Sequence, residues 1–228
     1  MKAMDVSHDI ESMNRVIAIG DIHGCSLALK SLIDAIQPKE DDLIVTVGDY
    51  VDRGPDSRGV IDQLIDLRNR CHLVPLLGNH EIMMLAALHD HDISFWLDCG
   101  GDATIASYGD SIDSIPEKHI AFLHDCHRYF ETTEYIFVHA NYRHDLPLNE
   151  QPDHMLFWTH VSYNPPPPHV SGKTVIVGHT PQATGEVLDL GHLLGIDTYC
   201  FGTGWLTAIN VETRKGWQAD KDGNLREN

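Results

Sequence analysis

Three short glycine-bounded segments in the first third of the chain carry side chains that bind metal ions or transfer protons. They read Gly20-Asp21-Ile22-His23-Gly24, Gly48-Asp49-Tyr50-Val51-Asp52-Arg53-Gly54 and Gly78-Asn79-His80-Glu81. A mixture of carboxylate, imidazole and amide ligands suits Mn²⁺, iron or Zn²⁺, whereas Mg²⁺ favours oxygen ligands. The residue types therefore point to a metal-dependent reaction.

Each of these side chains has a place in a centre of two cations. Asp21 and His23, two residues apart in a turn, can face one cation, and Asp49 can bridge both cations with its two carboxylate oxygens. Asn79 offers a carbonyl oxygen, while its neighbour His80 stays unligated and available for proton transfer. The pattern predicts a binuclear centre with a proton donor beside it.

Each segment follows an apolar run that predicts a buried β-strand. These runs cover residues 15–19, 43–47 and 72–77, and residues 27–36 and 60–67 between them have helical apolar spacing. Strand and helix alternate, which is typical of a parallel sheet. Ligands gather beyond the carboxyl ends of such strands, so we expect the three segments to meet there.

Two histidines in the second half of the chain stand in the same context. His139 follows the apolar run 135–138, and His179 follows the run 174–178. Asp49 is expected to be shared by the two ions, so that six ligands complete the centre: Asp21, His23, Asp49, Asn79, His139 and His179. Two divalent ions with a bridging hydroxide would keep a net positive charge there, which favours an anionic phosphoester as the substrate.

The order and spacing of these segments resemble the metallophosphoesterase superfamily. Within it, residues 16–208 are similar to the serine/threonine protein phosphatases of PPP type, in their bacterial and phage lambda-like branch. The resemblance implies an α/β fold, a four-layer αββα sandwich of two mixed β-sheets flanked by helices. It also implies phosphomonoester hydrolysis by a hydroxide that bridges two divalent ions, Mn²⁺ first and iron or Zn²⁺ as alternatives.

The same resemblance implies roles for individual residues. His80 would be the general acid for the leaving group, Asp52 would orient it, and Arg53 would bind phosphoryl oxygens. Lambda-like phosphatases carry a second phosphate-binding arginine shortly after a tryptophan. This chain has His160 at that position, and Arg143 is the other candidate for the role. The sequence leaves both residues open as substrate contacts.

Two other functions stay open besides a phosphatase acting on phosphoproteins or small phosphoesters. One is a hydrolase of dinucleoside polyphosphates, similar to the symmetrical diadenosine tetraphosphatases. Those relatives commonly lack the aspartate that stands here as Asp52, so its presence favours the phosphatase. The other is a non-catalytic scaffold, which would tend to lose metal ligands or the histidine equivalent to His80, and this chain keeps both.

The amino-acid composition restricts which binding partners and which cellular compartment we expect for the protein. The 228 residues include 34 acidic and 16 basic side chains, and a net charge of −18 argues against nucleic acids and anionic membranes. Five scattered cysteines without a Cys-x-x-Cys pair are typical of free thiols in the cytoplasm. We expect no signal peptide before Val16 and no membrane-spanning segment. The sequence leaves the oligomeric state open.

The rest of the chain predicts a single domain over residues 15–228, preceded by a flexible tail at 1–14. Residues 82–126 have helical character and are expected to form a wall or partial cap beside the centre, with Glu81 capping or pairing locally.

The last third predicts β-structure, and a turn at Gly202–Gly204 predicts a hairpin between its first two strands. A parallel half followed by an antiparallel half predicts two sheets packed face to face. The β-runs of this last third cover residues 193–197, 205–211 and 215–218.

Overall fold

A computed structural model of the chain describes residues 13–90, 92–161 and 165–227. Residues 1–12 of the tail predicted at 1–14 lie outside the described residues. Within the described ranges the strands are β1 (Arg15–Ile19), β2 (Asp42–Thr46), β3 (His72–Pro75), β4 (Tyr129–Glu131), β5 (Tyr135–Val138), β6 (Thr174–Val177), β7 (Leu188–Asp189), β8 (Leu193–Gly195), β9 (Leu206–Asn210) and β10 (Gly216–Ala219).

The helices alternate with the first strands and then cluster in the middle of the chain. They are α1 (Ser26–Ile36), α2 (Ser57–Leu67), α3 (Asn79–Asp90), α4 (Ser94–Trp96), α5 (Asp102–Ser107), α6 (Glu117–His124) and α7 (Asp153–Trp158), with a π-turn at Leu97–Gly101 and 3₁₀ turns at Ile112–Ser114 and Leu148–Glu150. No helix in the described part of the chain is long and apolar enough to cross a membrane. The helical character predicted for residues 82–126 is confirmed by α3 to α6.

The strands form two mixed sheets. The first has the order β10-β9-β1-β2-β3, in which β1, β2 and β3 are parallel while β9 and β10 run antiparallel. The second has the order β4-β5-β6-β8-β7, with β5, β6 and β8 parallel and an antiparallel strand at each edge.

The sheets pack face to face through alternate side chains of their strands. These side chains are Val16, Ala18, Leu43, Val45, Val74 and Ile209 from the first sheet, and Phe130, Phe137, Ile176 and Leu194 from the second. The intervening side chains point outward, because successive residues of a strand face opposite sides. Ile17 of β1 thus shares a core with Leu32 of α1, and Val175 of β6 with Leu156 of α7. The predicted four-layer αββα sandwich is confirmed.

The last third of the chain differs from its prediction. β8 pairs with β6 and β7, whereas β9 pairs with β1 and β10, so the hairpin predicted across Gly202–Gly204 is wrong. The chain crosses there from the second sheet to the first, where β9 satisfies the open edge of β1. The prediction of a parallel half followed by an antiparallel half is also wrong, because each sheet has a parallel centre or flank completed by antiparallel strands.

Candidate metal centre

The first sheet delivers five of the predicted side chains to one edge. Asp21 and His23 follow β1, Asp49 follows β2, and Asn79 and His80 begin α3 beyond β3. All five are buried. They meet because the carboxyl ends of parallel strands lie at the same edge of a sheet.

The second sheet adds the two remaining histidines to the same place. His139 follows β5 and His179 follows β6, and the His139 Nε2 atom lies 3.2 Å from His179 Nδ1. The same Nε2 atom lies 2.9 Å from Asn79 Oδ1, which belongs to the first sheet. The structure therefore brings together at the shared edge of the sheets the side chains that the sequence assigned to one centre.

Asp49 lies between two groups of ligands. Its Oδ2 atom is 3.5 Å from His23 Nε2, and its Oδ1 atom is 3.4 Å from His139 Nε2. Nitrogen and oxygen atoms of His23, Asp49 and His80 lie within 4.8 Å of one another, and so do those of Asp49, His139 and His179. The first group thus contains His80, which is expected to stay unligated, and neither group contains Asp21. The two oxygens of one carboxylate thus face two adjacent clusters, as a bridging ligand requires.

Backbone carbonyls orient two of the imidazoles. His23 Nδ1 lies 2.9 Å from the Val51 carbonyl oxygen, and His139 Nδ1 lies 2.8 Å from the Val47 carbonyl oxygen. Because a carbonyl can only accept, each Nδ1 carries the hydrogen and each Nε2 presents its lone pair toward Asp49. Burial lowers the pKa of His23 to about 3 and also lowers the pKa of His139. Both rings are therefore neutral, the form that binds a metal.

The Asp21 carboxylate provides a test of whether a cation fits. Its Oδ2 atom accepts the His179 backbone N–H at 2.9 Å, while its buried Oδ1 atom has no hydrogen-bond partner among the described residues. Burial raises the pKa of Asp21 well above its usual range, and the charges of Asp197 and Asp49 raise it further. A buried carboxylate oxygen without a partner is costly, and a divalent cation would satisfy it. The residues present fit two divalent ions with mixed oxygen and nitrogen ligands.

Neighbouring glycines leave the space that these carboxylates occupy. A Cβ atom on Gly78 would lie 2.2 Å from Asp49 Oδ1, and one on Gly178 would lie 2.0 Å from Asp21 Oδ1. Such distances are far below van der Waals contact, so a side chain at either position would displace a ligand. The glycines next to the ligands are therefore part of the site.

Several functional residues hold the left-handed backbone conformation that side chains rarely adopt. Their φ angles are 44° at His23, 53° at Asp49, 72° at Asp52, 68° at Arg53 and 61° at His179. Such conformations cost about 1–3 kcal/mol each and persist where the surrounding structure imposes them. The turns at this edge are thus held in place by contacts rather than by local preference.

Glu81 supplies much of that support. Its Oε2 atom accepts N–H groups of Asp49 at 2.8 Å and Gly78 at 2.9 Å, and its Oε1 atom accepts those of Tyr50 at 2.7 Å and Val51 at 3.3 Å. Burial and the charge of Asp49 raise the pKa of Glu81, whereas the N–H groups of Tyr50 and Asp49 favour the ionised carboxylate and oppose that rise. The expected local contact exists at Gly78, whereas no sequence pattern indicates that Glu81 also holds the loop after β2.

His80 is paired with a buried carboxylate. Its Nδ1 atom lies 2.7 Å from Asp52 Oδ2, and Asp52 also accepts from Trp96 Nε1 at 2.9 Å and Thr104 Oγ1 at 2.7 Å. Burial alone would lower the pKa of His80, but the carboxylates of Asp49 and Asp52 outweigh it and raise that pKa. Trp96 and Thr104 were missed by the sequence reasoning, although both lie in the predicted helical wall.

Arg53 presents its guanidinium at the same edge. Its Nη1 atom lies 3.2 Å from His23 Nε2, its Cζ atom lies 4.7 Å above the ring centroid of Phe201, and its backbone N–H donates to the Gly100 carbonyl at 3.0 Å. Five other arginines of the described chain pair with carboxylates, namely Arg15, Arg68, Arg128, Arg143 and Arg226, whereas Arg53 does not. Its charge is therefore available to an anion.

The two candidates for a second phosphate contact lie in different surroundings. Arg143 is exposed and pairs with Asp145, with Nη2 2.7 Å from Oδ2 and Nε 3.1 Å from Oδ1. His160 stacks on His179, with ring centroids 4.5 Å apart and the rings inclined by 28°. The structure places His160 beside the centre and Arg143 in a surface ion pair, and a phosphate contact by either residue stays a prediction.

Comparison with known proteins agrees with this geometry. A family model described as calcineurin-like phosphoesterase matches residues 14–202. Serine/threonine-protein phosphatase 1 of Salmonella typhimurium is 38% identical over 105 residues, which are 45% of this chain and 47% of that protein. Symmetrical bis(5'-nucleosyl)-tetraphosphatase of Erwinia tasmaniensis is 50% identical over 70 residues, 30% of this chain and 24% of that protein. The chain thus spans half or less of the length of these curated relatives.

A solved structure extends the likeness to the whole fold. The crystal structure of a candidate diadenosine tetraphosphatase has a TM-score of 0.69 and 24% identity, and the match covers 90% of this chain and 92% of that one. At this identity the likeness concerns the fold, and it agrees with the sandwich described above.

Proposed function

The chain belongs to the calcineurin-like phosphoesterase family, and on that premise we propose that it is a two-metal phosphomonoesterase of the serine/threonine protein phosphatase type. One observation carries the proposal: the two oxygens of Asp49 face His23 and His139, at 3.5 and 3.4 Å. A single carboxylate shared in this way is the arrangement that a pair of adjacent cations needs.

The ions would be held by the six side chains named from the sequence, namely Asp21, His23, Asp49, Asn79, His139 and His179. We propose Mn²⁺ as the metal because three imidazoles, two carboxylates and an amide make a mixed ligand set; iron and Zn²⁺ are the alternatives. The chemistry that two such ions supply is activation of water and compensation of charge on the phosphoryl group.

The chain's own groups would handle the proton and the substrate charge. His80 holds a proton on its Nε2 atom for the leaving oxygen, because its Nδ1 hydrogen is committed to Asp52. The carboxylate of Asp52 keeps the ring charged and oriented. Arg53, which pairs with no carboxylate in the described part of the chain, would bind two phosphoryl oxygens through its planar fork.

For the substrate we propose a phosphoprotein or a small phosphomonoester, supported by the relative named serine/threonine-protein phosphatase 1. A dinucleoside polyphosphate is the second candidate, because another relative is named for that activity. The five cysteines are all free in the structure, which supports a cytoplasmic location. The net charge of −18 supports a partner other than a nucleic acid.

A substrate panel tests the proposal. The protein is incubated with Mn²⁺ and equal concentrations of phosphoserine and phosphothreonine peptides, diadenosine tetraphosphate and nucleotides, and the release of phosphate or nucleotide is measured. We expect the phosphopeptides to be cleaved fastest. Preference for diadenosine tetraphosphate would establish the second candidate instead, and no cleavage of any compound would contradict both.

Two variants make the panel specific for the bridging carboxylate. Asp49→Asn should abolish hydrolysis, because an amide offers a single oxygen to the two clusters. The same change at Asp34, an exposed residue of α1 that pairs with Lys30, should leave hydrolysis unchanged. Full activity of Asp49→Asn with two bound ions would refute the assignment.

A further inference from the structure

We propose that Phe201 is a positioning residue that fixes the guanidinium of Arg53 for phosphoryl binding. The inference deepens the proposed function and depends on it, since it concerns the phosphate contact of Arg53. The Arg53 Cζ atom lies 4.7 Å from the centroid of the Phe201 ring, well inside the range of a cation–π contact.

A ring is well suited to hold this particular arginine. A carboxylate would neutralise the guanidinium and occupy its N–H groups, leaving less for a substrate. An aromatic face attracts the cation through its quadrupole and accepts none of the in-plane N–H donors. Phe201 can therefore restrict the Arg53 side chain while its charge and its donors stay free.

The other side-chain contact of Arg53 competes with the metal. Arg53 Nη1 lies 3.2 Å from His23 Nε2, and that nitrogen carries the ring's lone pair because Nδ1 donates to the Val51 carbonyl. One lone pair cannot serve both an N–H donor and a cation. A cation held by His23 would therefore remove this acceptor from Arg53, whereas the contact with Phe201 would remain.

Phe201 is itself held firmly. Its ring meets the ring of Tyr199 at 4.8 Å and 74°, and that of His23 at 4.9 Å and 80°. The adjacent Cys200 is buried, and Gly202 leaves room for the tyrosine, because a Cβ atom there would lie 2.2 Å from Tyr199 Cε1. The ring that supports Arg53 is therefore a fixed surface.

Binding of inorganic phosphate to the Mn²⁺-loaded protein tests the inference by calorimetry. Phe201→Leu should weaken phosphate binding about two- to fivefold, the range expected for an exposed cation–π contact, and Phe201→Tyr should keep the wild-type Kd. In an Arg53→Met background, Phe201→Leu should weaken binding no further, because the group it positions is gone. The bound Mn²⁺ should remain at the wild-type level in each Phe201 variant.

Phe130→Leu is the matched control, since the same change between the two sheets should lower Tm and leave the phosphate Kd unchanged. An unchanged Kd in Phe201→Leu overturns the inference. So does an equal loss in the Arg53→Met background, or a loss of bound Mn²⁺, which would show an effect through His23. If Arg53→Met weakens phosphate binding and Phe201→Leu does not, the proposed function stands without this role. Wild-type protein that binds neither Mn²⁺ nor phosphate contradicts the proposed function itself.

Discussion

His80 differs from two other buried imidazoles of the centre in the group that faces its Nδ1 atom. His23 and His139 each face a backbone carbonyl, whereas His80 faces the Asp52 carboxylate at 2.7 Å. A neutral carbonyl leaves a buried ring uncharged, while a carboxylate stabilises the imidazolium. Under the proposed function, the same residue type would thus bind metal in two places and donate a proton in a third.

His80→Asn should reduce turnover by about 10²–10⁴-fold while two Mn²⁺ ions stay bound, because it removes a proton donor and leaves the six proposed ligands intact. Steady-state hydrolysis and metal analysis of the same sample measure both quantities. His89→Asn serves as the control on the same helix, since the His89 side chain is 89% exposed. Unchanged turnover in His80→Asn would remove His80 from the reaction.

His160→Arg should strengthen inhibition by inorganic phosphate about tenfold, because it places a charged fork beside His179. The inhibition constant is compared with that of Arg143→Ala, which breaks a surface pair with Asp145 and should have no effect. The reverse pattern would assign the second phosphate contact to Arg143.

Among individual residues, the sequence predicts which candidate ligands meet better than it predicts the side chains that support them. Asp21, Asp49 and His139 each follow an apolar run, so their meeting at a sheet edge could be inferred from pattern alone. Trp96 and Thr104 reach Asp52 from positions 44 and 52 residues along the chain, and nothing in their local pattern shows where their polar atoms point. Hydrogen bonds made across such separations depend on packing.

Among the elements, the loops after β2 and β3 are joined by one carboxylate. Glu81→Gln should lower the affinity for Mn²⁺ and destabilise the fold by about 1–3 kcal/mol, because the amide nitrogen must face a pair of N–H donors. Mn²⁺ titration and thermal unfolding measure the two effects. Glu131→Gln, at a surface pair with Lys173, should change neither. Wild-type Mn²⁺ affinity in Glu81→Gln would show that the loop holds its shape without the carboxylate.

A second buried carboxylate joins the start of β2 to β1. Asp42 accepts from Arg15 Nε at 2.9 Å and from the Lys39 N–H at 2.8 Å. Burial alone would raise the pKa of Asp42, but these donors outweigh it and lower that pKa below the ordinary 3.8. The ionised form therefore stabilises the fold fully above about pH 4, and the contribution is lost as pH falls through the lower, folded pKa.

Asp42→Asn should accordingly cost about 2 kcal/mol in the free energy of unfolding at pH 7, and the difference from wild type should shrink at strongly acid pH. Urea unfolding across that pH range measures it. Asp34→Asn, at an exposed pair with Lys30, should give nearly wild-type values throughout. A difference that stays constant with pH would contradict the role of ionised Asp42.

Strands were easier to predict than their partners. Residues 15–19 and 135–138 match β1 and β5 because short β-branched runs identify buried strands locally. The pairing partner of β9 cannot be predicted in this way. A strand adjacent in sequence and the exposed edge of a strand far away in sequence would satisfy the backbone N–H and C=O groups of β9 equally well. β9 pairs with the open edge of β1, and this edge is seen only in the assembled sheet.

For the molecule as a whole, the centre joins the two sheets. Asp21, Asp49 and Asn79 come from the first sheet, whereas His139 and His179 come from the second. A cation bound to ligands of both sheets stabilises the folded protein over the unfolded chain, by about 2.7 kcal/mol at a free concentration of 100 times Kd.

Thermal unfolding should therefore show a Tm that rises with Mn²⁺ and falls after chelation. Asp49→Asn, which lacks the shared ligand, should respond far less. The experiment is differential scanning fluorimetry across a Mn²⁺ series. An equal shift in wild type and Asp49→Asn would place the stabilising ion elsewhere.

The pairing of β9 with β1 sets Ile17 opposite Asn210, two positions near opposite ends of the sequence. During synthesis the segment carrying Asp21 leaves the ribosome early. One edge of the preceding strand, β1, stays unpaired until residue 210 of β9 has emerged. All six proposed ligands precede that residue, the last of them being His179. The nascent polypeptide thus carries its full set of proposed metal-binding groups before their supporting sheet can close, and the proposed centre would be loaded late in the protein's biogenesis.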